Sequence, residues 1–483
     1  VSGLPGVTVL GIEALKADDF RFLVLSTDLE AASSLETGHP GINQLLSNIE
    51  WGRKSNFIDV PTDCPQRDEK MGWTGDAQVF AASALFLTKA LPFYRKYLRD
   101  MRTEQEALQG KVPNVIPSFD VKGCSAAWGD AATVIPQQLY RFSGDPLILE
   151  EHYPLMKDWV DFIRRTDEGS GRWREHFHFG DWLALDNKDE TADNRLGATD
   201  KGFIADVCYM HSSALTASAA RILEREEEAA RYEKLASEIR ARIEASFYRD
   251  DGSCLIQTQT ALLLSLRHGL GDEEKAAADL RRLFEASEGK LQTGFVGTPL
   301  LLPVLSDFGM EDIAAGLLLN EDYPGWLYEV NLGATTVWER WNSLNPEGEV
   351  TDIEMNSFNH YAYGAVLEWL YGYAAGLKPR GAGFGKLRLE PMIIPELKRL
   401  SCRYDSARGL WESSWSLNPE KQITYSCRVP FGCEAKLRLP GFSQEGELSI
   451  AEGDPERIRR TEDGSLALKS GAYTLRYSFD FKV

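Results

Sequence analysis

No stretch of this 483-residue chain approaches 18 consecutive apolar residues. The longest runs are short ones such as Ala261 to Leu264 and Leu300 to Leu305, so no segment is expected to cross a membrane. Cysteine is scarce and unpatterned. Cys64, Cys124, Cys208, Cys254, Cys402, Cys427 and Cys433 include no CxxC pair and no neighbouring His at zinc spacing, which argues against a disulfide framework or a zinc finger. Reduced thiols favour a reducing, cytoplasmic compartment. Positive charge is in deficit, 53 Lys and Arg against 73 Asp and Glu, and a net charge of −20 repels nucleic acid and anionic lipid. Neutral or cationic partners fit better, with neither nucleic acid nor membrane among them. Nothing in these features sets an oligomeric state. Low-complexity tracts and sequence repeats are missing as well. The chain begins at Val1 without Met or a basic-then-apolar start, so the expectation is that a leader has been removed or that this is part of something longer.

What the chain does hold is an ordinary globular composition, 43% hydrophobic and 26% charged, in a length with room for about two to four domains. Its 12 Trp, 17 Tyr and 22 Phe exceed what a core strictly requires. Sugar-binding clefts use such rings and so do large cores, so composition does not choose between them.

Hydrophobic period divides the chain in three. Residues 1–34 read as strands, with Val7 and Val9, then Phe20, Phe22 and Val24, alternating with polar or small neighbours. They are expected to be the remnant of an N-terminal β-domain, or a strand pair packed on the helical body. From 35 to 378 the period is helical: Phe203, Val207, Met210, Ala214 and Ala217 fall three or four apart, as do Tyr232, Leu235, Ile239, Ile243 and Phe247. Such stretches near 41–53, 75–100, 130–143, 147–166, 203–225, 228–247, 257–269, 272–287, 296–308, 311–319, 333–341 and 357–376 predict about a dozen helices. Six hairpins closed into an (α/α)6 barrel bury that many stripes most simply. After Leu377 the run Lys-Pro-Arg-Gly-Ala-Gly-Phe-Gly marks a linker or turn. From 379 to 483 the period is two again, at Ile423, Tyr425, Cys427 and Val429 and at Tyr473, Leu475, Tyr477 and Phe479, which predicts a C-terminal antiparallel β-sandwich. The expected class is mainly α.

The densest polar cluster is Asp63-Cys64-Pro65-Gln66-Arg67-Asp68-Glu69-Lys70-Met71-Gly72-Trp73-Thr74-Gly75-Asp76. A run so charged is ordinarily a solvated loop. Interleaved Pro, Cys, Trp and Gly suit instead a tightly shaped loop that touches something, with Thr74 available to cap the next helix. Neighbouring negative charge and the apolar cover of Trp73 favour a retained proton, which a general acid needs. The expected division has Arg67 keeping Asp63 or Asp68 charged while Glu69 stays protonated. In the second constellation, Gly333-Ala334-Thr335-Thr336-Val337-Trp338-Glu339-Arg340-Trp341, a helical reading has Glu339 either paired with Arg340 on an outer face or partly desolvated between the two tryptophans. Glycoside hydrolysis uses two such carboxyls, about 6.5–9.5 Å apart with water between them in an inverting enzyme. Trp128-Gly129-Asp130, Gly180-Asp181-Trp182 and Asn356-Ser357-Phe358-Asn359-His360-Tyr361 each join a ring to a hydrogen-bonding group, as pyranose sites do. His176 and His178 imitate metal ligands without a matching pair, so neither metal nor cofactor is expected.

These residues resemble the bacterial α-L-rhamnosidases of glycoside hydrolase family 78. The resemblance lies in the 63–76 cluster, Ala-Ala-Trp-Gly-Asp at 126–130, Phe-Gly-Asp-Trp at 179–182, Thr-Gly-Phe-Val-Gly-Thr-Pro at 293–299, Trp-Glu-Arg-Trp at 338–341 and Asn-Ser-Phe-Asn-His-Tyr-Ala-Tyr-Gly at 356–364. It runs from about residue 25 to the C-terminus and implies an (α/α)6 catalytic barrel that hydrolyses terminal non-reducing α-L-rhamnosides with inversion. By position it implies Glu69 as general acid and Glu339 as general base activating water. Asp63, Arg67, Asp76 and His360 match sugar-hydroxyl contacts, Trp73, Trp128 and Trp182 an aromatic wall, and Asp68 of the same motif is placed with the substrate-binding residues. The implied partner is a small-molecule or oligosaccharide rhamnoside. One alternative is the same barrel acting on another sugar, such as an unsaturated uronide, for which only Arg67 and Arg340 supply nearby cationic groups. Another is a carbohydrate-binding homologue that has lost catalysis, against which the presence of both carboxyls speaks. Family members usually carry several β-domains ahead of the barrel, where this chain has a remnant, and the charged stretch 186–199 leaves the leaving-group preference open.

Overall fold

Helical hairpins make up most of the described chain, which in the computed structural model comprises residues 16–21, 23–119, 123–187, 195–352, 355–442 and 448–479. The helices are α1 (Pro40–Asn56), α2 (Thr74–Leu87), α3 (Leu91–Ala107), α4 (Ala131–Ser143), α5 (Pro146–Asp167), α6 (Lys201–Ile222), α7 (Glu226–Phe247), α8 (Gln259–His268), α9 (Glu273–Ala286), α10 (Thr298–Asp307), α11 (Glu311–Leu319), α12 (Trp326–Asn331) and α13 (Val366–Trp369). Helices α2, α4, α6, α8, α10 and α13 pack on one another in that cyclic order, so the six close a ring. Helices α5, α7, α9 and α11 each return along the outside of the inner helix before them. Side-chain pattern decides which ring a helix joins. Every residue of α2 from Phe80 to Phe86 is buried, whereas α7 buries only Ala229, Tyr232, Ile239 and Ile243 and turns its charges outward. Ala77, Ala81 and Ala84 leave room for close neighbours in the inner ring.

The expected helices recur with α12 added to them, and the pattern otherwise differs from the structure at four places. The stretch 75–100 is two helices, because the chain turns at Thr88, whose hydroxyl donates back to the Ala84 carbonyl, before Pro92 opens α3. The segment 333–341 is not helical. Helix α12 ends before it, Gly333 takes a φ of +85°, the chain bends at Thr335 and Thr336, and β-branched Val337 forms an antiparallel bridge with His360. That pairing carries bonds from His360 N–H to Val337 O (2.8 Å), Glu339 N–H to Ser357 O (2.9 Å) and Thr336 Oγ1 to Phe358 O (2.6 Å). For the same reason the last inner helix begins only at Ala362 rather than near 357, with a 3-10 turn at Ala362–Ala365 and a π turn at Leu370–Ala374 on either side of α13.

The fourth difference is at the N-terminus. Described residues 16–21 and 23–30 hold no strand, and Leu23, Val24 and Leu25 are exposed, since alternation alone does not make a strand without a partner to pair with. Val7, Val9 and Phe22 lie outside the described residues. The first strand is β1 (Ser33–Thr37). After it come β2 (Phe57–Ile58), β3 (Val60–Pro61), β4 (Leu377–Pro379), β5 (Lys386–Leu389), β6 (Arg399–Ser406), β7 (Gly409–Leu417), β8 (Gln422–Val429), β9 (Glu434–Leu437), β10 (Leu448–Glu452), β11 (Ile458–Arg460), β12 (Leu466–Leu468) and β13 (Gly471–Ser478). One sheet runs β1-β6-β7-β8-β13-β10 and is antiparallel throughout. A second sheet runs β11-β12-β9-β5-β4 and contains a parallel pair, β5 with β9, so the C-terminal unit is mixed rather than purely antiparallel, while β2 and β3 pair with each other. Between β5 and β9 the chain crosses to the first sheet for β6, β7 and β8, the long connection a parallel pair requires. Trp415 Nε1 donates to Ala374 O (3.2 Å) and Ser413 Oγ to Ala375 O (2.6 Å), which ties β7 to the end of the barrel.

Candidate active site

Arg67 joins chain segments that are far apart in sequence. Its Nη1 donates to Glu339 Oε2 (2.8 Å), and its Nη2 donates to Glu69 Oε2 (2.9 Å) and Asp63 Oδ2 (3.1 Å). One guanidinium therefore holds the two carboxyls that the motifs single out. The loop carrying Arg67 is closed at its base by Asp63, whose N–H donates to Met71 O (2.9 Å) and whose Oδ1 accepts from Met71 N–H (2.8 Å). Gln66 Nε2 donates to Ser357 Oγ (2.7 Å), fastening the loop to the segment beside Glu339. Glu69 also accepts from Trp73 Nε1 (2.7 Å), and its side chain is 31% exposed against 6% for Glu339.

Asp76, in the first turn of α2, accepts from His360 Nε2 (3.1 Å), and both are buried. Burial works against charge on His360, but the hydrogen bond and charge of Asp76, with Glu339 and Asp63 beyond, raise its pKa overall. The Ala362 N–H donates to Nδ1 (3.1 Å), so the ring proton sits on Nε2, facing Asp76. Burial, with the neighbouring charge of Glu69 second, pushes the Asp63 carboxyl up to about 6. With a pKa of about 6 Asp63 is still mostly ionised at pH 7 beside Arg67, and the expected division is altered at Glu69, to which Arg67 also donates. Asp68 is exposed and is not among the partners of Arg67.

Trp73, Trp128 and Trp182 gather around Phe179, with ring centroids 5.8, 4.6 and 5.5 Å from it. Trp128 is buried and packs on α2 where Gly75 leaves space, since a Cβ there would lie 2.6 Å from the indole. The other groups of these motifs hold backbone. Asp181 accepts from the N–H groups of Gly294 (2.8 Å), Val296 (2.8 Å) and Gly297 (3.0 Å), and Asp130 from Trp159 Nε1 (3.0 Å) and Ala127 N–H (2.7 Å). Arg340 pairs with Asp352 (2.7 Å) rather than with Glu339. Thr74 does not cap α2; its hydroxyl donates to Asn114 O (3.0 Å). Among the described residues, Asp63, Cys64 and Glu69 bring possible metal-ligand atoms within 4.8 Å of one another. Burial and the charge of Asp63 push the Cys64 thiol up to about 12, and Arg67 already occupies both carboxylates, so this donor set does not favour a cation.

Residues 30–374 match the family model described as the bacterial alpha-L-rhamnosidase 6 hairpin glycosidase domain, and residues 376–451 that of the bacterial alpha-L-rhamnosidase C-terminal domain. The chain belongs to the bacterial alpha-L-rhamnosidase family. An alpha-L-rhamnosidase of Alteromonas sp. (strain LOR) is 34% identical over 99% of this chain and 52% of the relative, and one of Formosa agariphila is 36% identical over 92% and 48%. The crystal structure of Streptomyces avermitilis alpha-L-rhamnosidase complexed with L-rhamnose aligns with a TM-score of 0.85 at 35% identity, over 93% of this chain and 42% of that one. The chain spans about half the length of the curated relatives it matches. The family resemblance and the six-hairpin barrel are both borne out. Within this rhamnosidase-family barrel, sequence reasoning missed three features: Phe179 as the centre of the indole cluster, the Gln66–Ser357 clasp, and Glu329. Glu329 is fully buried in α12, and its Oε2 accepts from Trp338 N–H (3.3 Å), next to Glu339. A Phe inside a motif read for its Asp and Trp, and a Glu outside every motif, gave no local signal.

Proposed function

We propose that this chain carries the catalytic part of an enzyme that hydrolyses terminal non-reducing α-L-rhamnosides with inversion, with Glu69 as general acid and Glu339 as general base. The observation that carries the proposal is the single guanidinium of Arg67, which brings together two carboxyls 270 positions apart in the sequence. The names of the relatives and the L-rhamnose of the Streptomyces avermitilis complex supply the sugar. Glu69, the more exposed carboxyl, protonates the glycosidic oxygen as its bond to the anomeric carbon breaks. Glu339, the more buried, takes a proton from the water that attacks that carbon from the opposite face. A cation between the carboxyls keeps them out of direct contact, which suits the wider spacing of an inverting pair. Asp63, Asp76 and His360 offer hydrogen bonds to ring hydroxyls, and the Trp73–Phe179–Trp182 group offers an apolar face to the 6-methyl of a neutral deoxy sugar.

The test is release of nitrophenol from 4-nitrophenyl α-L-rhamnoside, with early NMR of the freed sugar showing the β-anomer first. Glu69→Gln and Glu339→Gln are each expected to lower kcat by about 10²–10⁴. A folded sample that releases no nitrophenol refutes the activity, and either variant at near-full rate removes that residue from its role. Rhamnose binding in a calorimeter without turnover would move the chain to the carbohydrate-binding class.

A further inference from the structure

We infer that the lumen of the barrel is a second ligand site, separate from the sugar site, that takes a monoanion with an apolar tail, such as a medium-chain carboxylate. Incomplete filling is what points to it. Inner-ring side chains of a helical barrel ordinarily pack to full burial, yet Val79, Val134, Leu215 and Leu300, one each on α2, α4, α6 and α10, are only half-buried. They line a cavity of about 650 Å³ between the inner helices. Small-molecule sites typically enclose about 300–1,000 Å³. Gly75 and Trp128 bound the cavity on the side of the sugar site, and Asp63, Glu69, Glu339 and His360 are not in its wall.

The other end lies among the C-terminal turns of the inner helices, where β4, the edge strand of its sheet, adds Lys378. Charge there is not balanced. Arg141 pairs with Glu368 (2.6 Å) and Arg388 with Glu390 (3.0 Å), while Asp307 accepts from the Tyr373 hydroxyl (2.9 Å). Among the described residues neither Arg267 nor Lys378 makes an ion pair, and Lys378 stands instead over the Tyr373 ring, 3.8 Å from its centroid. Burial lowers the Lys378 pKa, as it does for a cation short of counter-charge. His211 and His268, 4.8 Å apart ring to ring in the same wall, are lowered by burial too, His211 to about 4, and carry no charge at pH 7. Asp307 is thus the one carboxylate left at this end for two cations, and a positive charge remains over in a chain whose net charge is −20. A single anionic head neutralises it, and Leu215, Leu264, Leu300 and Val304 give the tail an apolar wall.

The experiment titrates the chain with octanoate, 1-octanol and octylammonium in a calorimeter. Octanoate is expected to saturate one site per chain and to bind about tenfold tighter than either of the others. The double variant Arg267→Gln with Lys378→Gln is expected to bring octanoate down to the affinity of 1-octanol and to leave 1-octanol within about twofold. Val134→Trp, which fills the lumen, is expected to abolish binding of octanoate and 1-octanol alike; Leu300→Phe, on the opposite helix of the ring, repeats the test should the larger ring unfold the chain. No saturable octanoate binding, equal affinity for octanoate and 1-octanol, or octanoate binding unchanged in a folded lumen variant overturns the inference. Each of those results leaves the rhamnosidase reading standing, since that reading rests on Glu69 and Glu339, which the cavity does not touch.

Discussion

Replacing Arg67 by Met keeps most of the side chain's length and removes the charge that Asp63, Glu69 and Glu339 share. Oxygens of Asp63 and Glu69 lie within 4.8 Å of each other, where two unit charges at an effective dielectric constant of about 20 repel by about 3 kcal/mol. Breaking a largely buried ion pair by removing one partner costs about 3–5 kcal/mol, a similar size. The variant is therefore expected to lose about 3–5 kcal/mol at pH 7.5, where Asp63, with its pKa of about 6, is ionised. At pH 4.5 Asp63, already pushed up to about 6, takes up a proton and relieves the repulsion, and the loss shrinks toward a packing change of about 1 kcal/mol. The sign comes from proton binding. Without Arg67 the folded Asp63 holds its proton more tightly still, so the variant's stability declines more steeply with rising pH than that of the unaltered protein. Urea unfolding of both proteins at the two pH values reads the difference, and the acid limb of the kcat/KM profile is expected to move to higher pH. A stability gap equal at both pH values, or rate profiles that differ only in height, would refute the idea that a shared cation offsets the charge gathered on this cluster.

Asp63→Asn removes a carboxyl whose folded pKa, about 6, stands above its unfolded value of 3.8; between those values the folded state keeps a proton the unfolded chain has lost. Stability of the unaltered protein relative to Asp63→Asn should therefore fall by up to about 3 kcal/mol as pH rises across that window and stay level above it, and parallel urea midpoints would count against this. Burial pushes Glu329 well above the carboxylate range and its Oε1 has no partner, so Glu329→Gln is expected to unfold within about 1 kcal/mol of the unaltered protein. Glu329→Ala, which orphans the Trp338 N–H and opens a cavity beside Glu339, should lose about 2–5 kcal/mol, and equal melting of the two variants would overturn this account. Asp181→Ala leaves the N–H groups of Gly294, Val296 and Gly297 without their acceptor at about 1–3 kcal/mol each, so it should melt far below Asp181→Asn, whose remaining oxygen keeps part of the set.

The parts of the fold legible in the sequence are those whose signal is local. The apolar stripes of α6 and α7 and the alternation of β8 and β13 each report the face that gets buried, whatever lies opposite. The segment carrying Glu339 misleads for the converse reason. Trp338 and Trp341 are spaced as on a helix, but three β-branched residues and Gly333 favour an extended chain, and the partner that decides, 357–360, lies some twenty residues on. Phe20 and Val24 mislead the other way, with an alternation that finds no strand to pair with among the described residues.

The active-site cluster divides along the same line. Its residue types are all present in the motifs, and the motifs name the two carboxyls that converge. Which charges share a partner is a property of the fold alone: sequence proximity offered Arg67 a choice between Asp63 and Asp68, and the folded chain adds Glu69 and Glu339 while leaving Asp68 exposed. Asp63 has a guanidinium at 3.1 Å and is still pushed up to about 6, by burial first and by the neighbouring charge of Glu69 second. A charged loop therefore names the groups that could share a partner, and the fold decides which of them do.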